Sequence, residues 1–535
     1  MAEFDAVIRD GTVVDGTGRP ARRLDVGIRD GKIVALGALG EVQAKRELDA
    51  SGKIVSPGFI DMHTHSDFAL LADGRGESML RQGVTTNVSG NCGMSPAPLV
   101  GPYREAMIED MSSGKRYGVG LTWSTFGEYV ETLDKAPKSI NIAPLVGHGQ
   151  VRSAAMGFDA RFATEDEIKK MRELVRQAME EGAFGMSSGL IFPPGMYSNT
   201  HELIEVAKAV AEFDGFYSSD IRGETNPIVE AVGEALRIGR EAGVRTNISH
   251  HKSVGRDNWG KIRTTHAMIA EAAKEFDVTY DMYPYTVCGG SLSQYPPPWA
   301  KSGGLQELYR RLADPVQRER IADGILHGGP DFPNYYRLSW EDIQIAHINS
   351  KKNSWMEGLR LAEVAKRLGK EPVELVMDLM LEEQDQIPVN QYVLNAEDVE
   401  FLIQQEESMI GSDGSALTPD GVTGGGKPHP RNYGSFARFL GYYSRERGLL
   451  PLETAVHKIT GKPAAKLRLR DRGLIKENYV ADIVVFDYQT IRDLADFSNP
   501  HQFAQGINWV IVNGHLTLDE GKLSNELKGT VLSPR

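Results

Sequence analysis

The amino-acid sequence predicts an α/β fold, a (β/α)8 TIM-like barrel that carries a small β-sandwich domain built from both chain termini. Three observations support this prediction. Short β segments punctuated by glycine occupy both ends, over 1–58 and 469–535. Between them, over 59–468, strands alternate with amphipathic helices, as in a parallel sheet covered by helices. Polar residues follow one strand after another, as at the catalytic face of such a barrel.

The two ends of the chain share the same β-rich texture. Asp10-Gly11 and Asp30-Gly31 each separate apolar runs, and Asp-Gly in that setting is a hairpin signal. Apolar segments at 481–487 and 509–514 repeat the pattern near the other end. Two distant β-rich ends around a different middle predict one small domain.

The middle of the chain contains eight predicted strands with helices between them. Thr164 and Glu167 form a capping box that opens an amphipathic helix closed by Gly182. The predicted strands end at His63 and His65, Asn91-Cys92, Gly147-His148, Ser187-Ser188, 220–222, 250–252, 283–285 and Asp413.

One segment, at about 289–353, interrupts this alternation after the seventh predicted strand. It contains three consecutive prolines, a helical stretch around 305–325 and a loop rich in glycine and proline. A long insertion on the catalytic face can act as a lid that excludes water, and it can equally be surface elaboration.

Composition excludes several classes of protein. The 535 residues with 41% hydrophobic content can bury a large core, and the net charge of -13 disfavours binding to nucleic acid or to an anionic membrane. A small-molecule partner is therefore expected. The start of the chain lacks the basic and apolar regions of a leader, and the two cysteines are too few for a disulfide framework. A cytoplasmic protein is predicted.

The segment 61–65 places His63 and His65 at the exit of the apolar run 54–60. Side chains alternate along a strand, so both histidines project to the same side and can close on one metal ion. Cys92, His250 and Asp413 also stand at the ends of apolar strands. Together they describe a metallohydrolase site, since a metal that activates water needs several fixed ligands and one open position.

Each of these residues also has a plainer interpretation. Cysteine at a strand end is often a small buried hydrophobe, and aspartate is common in Ser-Asp-Gly turns such as the one at Asp413. His250 and His251 are adjacent on a strand, so only one of them can point into the barrel mouth. Nothing beyond its position supports His148 as a ligand.

At this point the motifs amount to a resemblance that runs in order through nearly the whole chain. The sequence resembles the N-acyl-D-amino-acid deacylases of the amidohydrolase superfamily. The residues that carry the resemblance are the His63/His65 pair, Gly90-Asn91-Cys92-Gly93, Ser187-Ser188-Gly189-Leu190-Ile191-Phe192-Pro193-Pro194-Gly195, Ile248-Ser249-His250-His251-Lys252, Gly411-Ser412-Asp413-Gly414 and His429-Pro430-Arg431.

The resemblance implies a role for each site residue. It selects His250 rather than His251 as a metal ligand, beside His63, His65 and Cys92, with one or two zinc ions. It makes Asp413 the general base, which takes a proton from the attacking water and later delivers one to the leaving amine. Lys252, Tyr283 and Arg431 match positions that hold the substrate carboxylate or polarise its carbonyl.

Asp220 departs from the family pattern, which has a histidine ligand at this position. A carboxylate can ligate zinc, but its side chain is shorter than imidazole and is a harder donor. Three interpretations stay open: a working site with altered ligation, a natural variant with weak or lost activity, and an engineered substitution.

The resemblance implies zinc-dependent hydrolysis of the acyl amide of N-acyl-D-amino acids, giving a carboxylate and a free D-amino acid. Cyclic-amide hydrolases such as hydantoinases and dihydroorotases are the enzymatic alternative, but they typically carry a metal-bridging lysine where this chain reads Ser187-Ser188-Gly189. A low-activity or inactive variant that binds acylated D-amino acids is the second alternative, and it depends on Asp220.

Overall fold

The computed structural model of the chain describes residues 3–329, 332, 334, 335, 337 and 339–534. The predicted spans 1–58, 289–353 and 469–535 also include residues 1, 2, 330, 331, 333, 336, 338 and 535, which lie outside the described residues. In the described part, no helix combines the length and the apolar character that a membrane crossing requires.

Strands and helices alternate through most of the chain. The strands are β1 Phe4–Val13, β2 Arg22–Arg29, β3 Lys32–Gly37, β4 Ala44–Asp49, β5 Ile54–Pro57, β6 Phe59–Asp61, β7 Val84–Ser89, β8 Asn141–Pro144, β9 Val146–Gly147, β10 Gly185–Gly189, β11 Phe216–Asp220, β12 Arg245–Ile248, β13 Val278–Met282, β14 Cys288–Ser291, β15 Ile343–Ile345, β16 Pro388–Gln391, β17 Ser408–Ile410, β18 Ile483–Phe486, β19 Ile507–Val512, β20 His515–Asp519 and β21 Lys522–Leu523.

The helices are α1 Ala69–Ala72, α2 Glu77–Leu80, α3 Arg104–Asp110, α4 Ser112–Arg116, α5 Phe126–Lys135, α6 His148–Met156, α7 Glu165–Glu180, α8 Thr200–Ala211, α9 Ile228–Ala242, α10 Ile262–Ala272, α11 Leu305–Ala313, α12 Pro315–His327, α13 Leu361–Leu368, α14 Pro372–Glu383, α15 Ala396–Gln404, α16 Arg431–Arg438, α17 Leu452–Ile459 and α18 Gly461–Leu467, with a π-helical segment Phe439–Glu446 after α16.

Both chain ends form one nine-stranded sheet, in the order β21-β20-β19-β18-β5-β1-β2-β3 with β4 paired to β1. The junction is the antiparallel pairing of β18 with β5. Buried aliphatic side chains from both ends, such as Ile8, Ile28 and Ile483, form a cluster of their own on this sheet. Strands from the two ends of the chain therefore lie in one sheet.

Only one of the two Asp-Gly hairpin predictions is correct. Asp30-Gly31 turns the chain between β2 and β3. Asp10-Gly11 lies inside β1, where the register with β2 shifts, and Asp10 adopts a left-handed φ of 56°. It is therefore a bulge. A Cβ at Gly11 would lie 2.4 Å from Val55 Cγ2, so pairing with β5 leaves room only for glycine.

The middle of the chain forms two parallel sheets, with strand orders β17-β13-β12-β11-β10-β9 and β6-β7-β8. Hydrogen bonds run between them: Met62 N donates to Ile410 O over 3.5 Å, and Phe184 N donates to Pro144 O over 2.9 Å. Amphipathic helices cover them; α7 begins with the predicted capping box at Thr164. The chain is therefore an α/β protein.

The sequence suggested a single strand over the apolar run 54–60, but the structure contains two. The run divides into β5, in the nine-stranded sheet, and β6, in the parallel sheet. Gly58 stands at the division, where an added Cβ would lie 2.1 Å from Thr85 Oγ1. The close approach of Thr85 therefore leaves room only for glycine where the chain changes sheets.

The segment after β13 forms a separate antiparallel sheet in the order β14-β16-β15. Helices α11 to α14 contribute to the apolar cluster around it, which extends from Leu292 to Val389. This cluster reaches beyond the limit of about 353 that the sequence suggested, because β16 returns to pair with β14.

Candidate metal centre and active site

The predicted site residues gather at the carboxyl ends of the parallel strands. His63 and His65 follow β6, Cys92 follows β7, and His250 follows β12. Asp220 is the last residue of β11, and Asp413 lies just beyond β17. They surround the floor of a cavity of about 1040 Å³ whose wall includes His65, Cys92, Asp220, His250 and Asp413.

Cys92 lies between two histidines. Its Sγ is 3.3 Å from His63 Nε2 and 3.4 Å from His250 Nε2. A soft sulfur donor beside two imidazole nitrogens is a donor set that zinc favours. The structure thus brings together three side chains from three different strands, as the sequence predicted.

Three site residues have left-handed backbone conformations. The φ angles are 53° for Cys92, 32° for His250 and 50° for Asp413. Non-glycine residues rarely adopt such angles, and those that do cluster at functional sites, where the surrounding structure holds them. The turn after each strand thus directs the side chain inward.

Burial sets the charge state of Cys92. Its pKa is raised well above its ordinary value, chiefly by desolvation and further by the nearby charge of Asp220. The thiol is therefore neutral in the protein alone, and contact with a cation would favour the thiolate.

Asp220 is fully buried beside His250, with Oδ2 3.7 Å from His250 Nε2. Neither carboxylate oxygen has a hydrogen-bond partner among the described residues. Burial raises the pKa of this carboxyl to about 7. A buried carboxylate without donors is costly, and a bound cation would satisfy both oxygens.

Glu224 is a member of the site that the sequence analysis missed. Its Oε1 lies 3.1 Å from His250 Nδ1 and forms an ion pair with Lys252 Nζ. Burial opposes ionisation, but the Lys252 charge and the His250 hydrogen bond together lower the pKa of Glu224 to about 2. Its position four residues beyond Asp220 was the available signal.

Asp281, near the end of β13, was also missed and holds two of the histidines. Its Oδ1 accepts a hydrogen bond from His250 N over 2.8 Å and lies 3.2 Å from His63 Nδ1. Its Oδ2 accepts from Asn247 Nδ2 over 2.6 Å. A carboxylate in this position fixes the ring orientation that leaves His63 Nε2 free to face Cys92.

Asp413 faces the same centre from the opposite side. Its backbone N donates to His63 O over 2.8 Å, and its Oδ1 lies 3.2 Å from His65 Nε2. Its Oδ2 accepts from Arg431 Nη1 over 2.6 Å. Burial opposes ionisation, but the Arg431 charge holds the pKa of Asp413 well below its usual range. Asp413 is therefore a carboxylate at neutral pH.

Lys252, Tyr283 and Arg431 form a second group beside this centre. The ring centroid of Tyr283 lies 5.7 Å from Lys252 Nζ and 5.0 Å from the Arg431 guanidinium carbon. The Tyr283 hydroxyl is buried without a hydrogen-bond partner among the described residues. Lys252 and Arg431 belong to the cavity wall. Tyr283 does not line this cavity but borders a small neighbouring pocket with His250 and Lys252.

The other histidines next to strand ends do not join the centre. His251 Nε2 lies 2.9 Å from Thr265 Oγ1 of α10, and burial lowers the pKa of His251 to about 3. His148 Nε2 lies 2.9 Å from Glu202 Oε1 in a fully buried pair. The turn after β12 thus places His250 toward the centre and His251 away from it.

Comparison with known proteins reveals relatives over the whole chain. A sequence profile described as "Amidohydrolase family" matches residues 46–236 and 337–517. The chain is 36% identical to D-aminoacylase of Alcaligenes xylosoxydans xylosoxydans, covering 99% of this chain and 98% of the relative. It is 34% identical to N-acyl-D-aspartate deacylase of the same organism, covering 100% of this chain and 96% of that relative.

Similar solved structures include a D-aminoacylase and a related deacylase. A D-aminoacylase structure, described as having a binuclear metal center, superposes with a TM-score of 0.82 at 36% identity, covering 99% of this chain and 100% of the other. A second structure superposes with a TM-score of 0.83 at 33% identity, covering 99% of both chains. It is N-acyl-D-glutamate deacylase from Bordetella bronchiseptica, complexed with zinc and a phosphonate mimic of the tetrahedral intermediate.

Proposed function

We propose, because the chain belongs to the N-acyl-D-amino-acid deacylase branch of the amidohydrolase family, that it hydrolyses the acyl amide of N-acyl-D-amino acids. The products are a carboxylate and a free D-amino acid. One observation carries the proposal: Cys92 lies between His63 and His250, with Asp413 facing the same point, on the floor of a cavity that can admit a small molecule.

Zinc fits this site. The thiol of Cys92, the imidazoles and the unpartnered oxygens of Asp220 are all donors that zinc accepts. Three sets of donors, each within 4.8 Å of one another, could hold an ion: His63, Cys92 and His250; His63, His65 and Asp413; and Asp220, Glu224 and His250. When bound, zinc polarises the amide carbonyl and makes water a stronger nucleophile.

Asp413 moves the proton in this reaction. As a carboxylate it removes a proton from the attacking water while the C–O bond forms at the acyl carbon. It then delivers that proton to the amine nitrogen as the C–N bond breaks. Lys252, Tyr283 and Arg431 hold the substrate carboxylate, because two cations and a free hydroxyl can bind an anion and fix the scissile bond next to Asp413.

The domain organisation is part of the same proposal. The two parallel sheets are two arcs of one (β/α)8 barrel over 59–468. This interpretation is supported by the hydrogen bond from Met62, just after β6, to Ile410 of β17 and by the closeness of β8 and β9 in the sequence. The spans 1–58 and 469–535 form the small β-sandwich. The inserted unit runs from β14 to β16 and covers the cavity.

A cytoplasmic location also remains a proposal. It is supported by the free, buried thiols of Cys92 and Cys288, since a reducing compartment preserves thiols. The substrate is a small molecule, because the site lies inside a cavity rather than on a basic surface.

Two other functions deserve comparison with this one. Cyclic-amide hydrolases carry a metal-bridging lysine where β10 here ends in Ser188 and Gly189, so the donor set favours the deacylase. A non-catalytic binder of acylated D-amino acids requires that Asp220 has abolished metal binding. The carboxylate oxygens of Asp220 instead lie near His250 without hydrogen-bond partners among the described residues, which favours metal binding.

A substrate panel tests the proposal. The zinc-loaded protein is assayed for amine release from N-acetyl-D-amino acids and for ring opening of hydantoin and dihydroorotate. We expect amine release only. Ring opening without amine release would establish the cyclic-amide alternative, and ligand binding without either reaction would establish the binder.

A further inference from the structure

Lys301 is a buried cation on the wall of the cavity. Lys301 comes shortly after the three prolines at 296–298, and the residue is only 4% exposed. Its Nζ donates to Gln294 O over 3.3 Å, and no acidic side chain of the described residues pairs with it. Burial lowers the pKa of Lys301 to about 8, so the ammonium form predominates at neutral pH.

The other lysine and arginine side chains of the wall differ from Lys301 in having carboxylate partners. In the described part of the wall these pairs are Arg116 with Asp385 at 2.9 Å, Arg161 with Glu167 at 2.6 Å, Arg222 with Glu234 at 2.8 Å, Arg431 with Asp413 at 2.6 Å, and Lys252 with Glu224. Lys301 is therefore the described lysine or arginine of the wall whose charge is not compensated by protein.

An uncompensated buried ammonium is unfavourable, because desolvation is not repaid by an opposite charge. Lysine has three N–H donors, and Lys301 uses one of them, on a long bond to a neutral carbonyl. We propose that Lys301 binds a second carboxylate of the substrate, beyond the one next to Arg431. This inference rests on the proposed function and narrows its substrate class.

The second carboxylate has two possible sources in an N-acyl-D-amino acid. It can belong to the amino-acid side chain, as in N-acetyl-D-glutamate, or to the acyl group, as in N-succinyl-D-leucine. Both present the same anion to Lys301. The two sources differ in which product carries the carboxylate, so matched neutral substrates separate them.

Lys138 provides a matched control. It is also buried, at 1% exposed, and its Nζ donates to a single carbonyl, Asp134 O, over 3.0 Å. Unlike Lys301, it is not part of the cavity wall. Replacing Lys138 by methionine therefore reproduces the loss of a buried ammonium without altering any residue of the cavity wall.

The test compares kcat/KM for N-acetyl-D-glutamate against N-acetyl-D-glutamine, and for N-succinyl-D-leucine against N-butyryl-D-leucine. We expect one anionic substrate to be preferred by about 10- to 100-fold, the range of a hydrogen bond to a charged group. In Lys301→Met that preference should disappear, in Lys301→Arg part of it should remain, and in Lys138→Met it should be unchanged.

Calorimetric binding of the same four compounds accompanies the kinetics, so that Lys301 is tested even if turnover is absent. No preference for either anion in the unchanged protein, or equal losses on anionic and neutral compounds in Lys301→Met, would overturn the inference. Hydrolysis of the neutral D-compounds alone would still support the proposed function, whereas anion-selective binding without hydrolysis would support Lys301 and contradict that function.

Discussion

Arg431 Nη1 donates a hydrogen bond to Asp413 Oδ2 over 2.6 Å, so the residue expected to grip the substrate carboxylate also contacts the residue expected to act as the base. The pair links substrate binding to proton transfer. Arg431 Nε is buried without a partner among the described residues, which leaves one face of the guanidinium for an anion. A carboxylate bound there would offset the charge of Arg431, raise the pKa of Asp413 and so make Asp413 a stronger base.

Cys92→Ala should remove most of the bound zinc. The thiolate is the charged donor between His63 and His250, and the loss of a direct ligand weakens metal binding strongly. Zinc per chain is measured by atomic absorption after purification. Cys288→Ala is the control, because Cys288 is the other buried free cysteine and lines the same cavity. Equal zinc contents in the two variants would refute the ligand assignment of Cys92.

Asp220→His should raise both zinc affinity and turnover. An imidazole reaches farther than the Asp220 carboxylate, whose Oδ2 stands 3.7 Å from His250 Nε2. Supporting partners of a ligand are typically worth about 10- to 100-fold in affinity or activity, so a restored ligand should give at least about 10-fold. Zinc titration and amine release are measured together. If both stay unchanged or fall, Asp220 is itself a working ligand or takes no part in ligation.

Asp413→Asn should reduce turnover by about 100- to 10,000-fold, the usual contribution of a general acid-base group. The amide keeps the shape of the side chain but cannot accept the proton from water. Zinc held by Cys92 and His250 should be retained. The exposed Asp257→Asn serves as the control for an aspartate change elsewhere. Near-normal turnover with Asn at position 413 would remove Asp413 from the mechanism.

Asp281→Ala should weaken zinc binding by about 10- to 100-fold, because carboxylates that orient ligand histidines contribute in this range. The change removes the acceptor for His250 N and the carboxylate next to His63 Nδ1. Asp281→Asn should fall between Asp281→Ala and the unchanged protein, since it keeps an acceptor without the charge. Zinc affinity equal to that of the unchanged protein in Asp281→Ala would show that the histidines are oriented by other contacts.

Much of the candidate metal centre could be predicted from the sequence, because its candidate donors lie at the ends of apolar strands. Parallel strands bring their carboxyl ends to one edge, so His63, Cys92, His250 and Asp413 converge without any knowledge of long-range contacts. Glu224 and Asp281 were missed for the opposite reason. Glu224 stands near Asp220 in the sequence, but its role and that of Asp281 come from contact with His250, which is distant in the sequence.

The errors in the fold have the same origin. Asp10-Gly11 has the local sequence of a turn, but β5 pairs beside it and the chain continues as a bulged strand. The antiparallel sheet after β13 includes β16, because β16 pairs with β14 across a long stretch of sequence. The local sequence pattern therefore predicts the individual strands and helices, whereas pairing with distant strands determines where they begin and end.

The enantiomer preference of the zinc-loaded protein tests the central claim most directly. If Arg431 and Lys252 hold the substrate carboxylate on one side and the metal donors fix the acyl carbonyl on the other, as proposed, the amino-acid side chain of only one enantiomer fits the remaining space. Initial rates of amine release are compared for N-acetyl-D- and N-acetyl-L-amino acids at equal concentration. We expect hydrolysis of the D-enantiomer with little or none of the L-enantiomer; equal rates, or a preference for the L-enantiomer, would contradict the account.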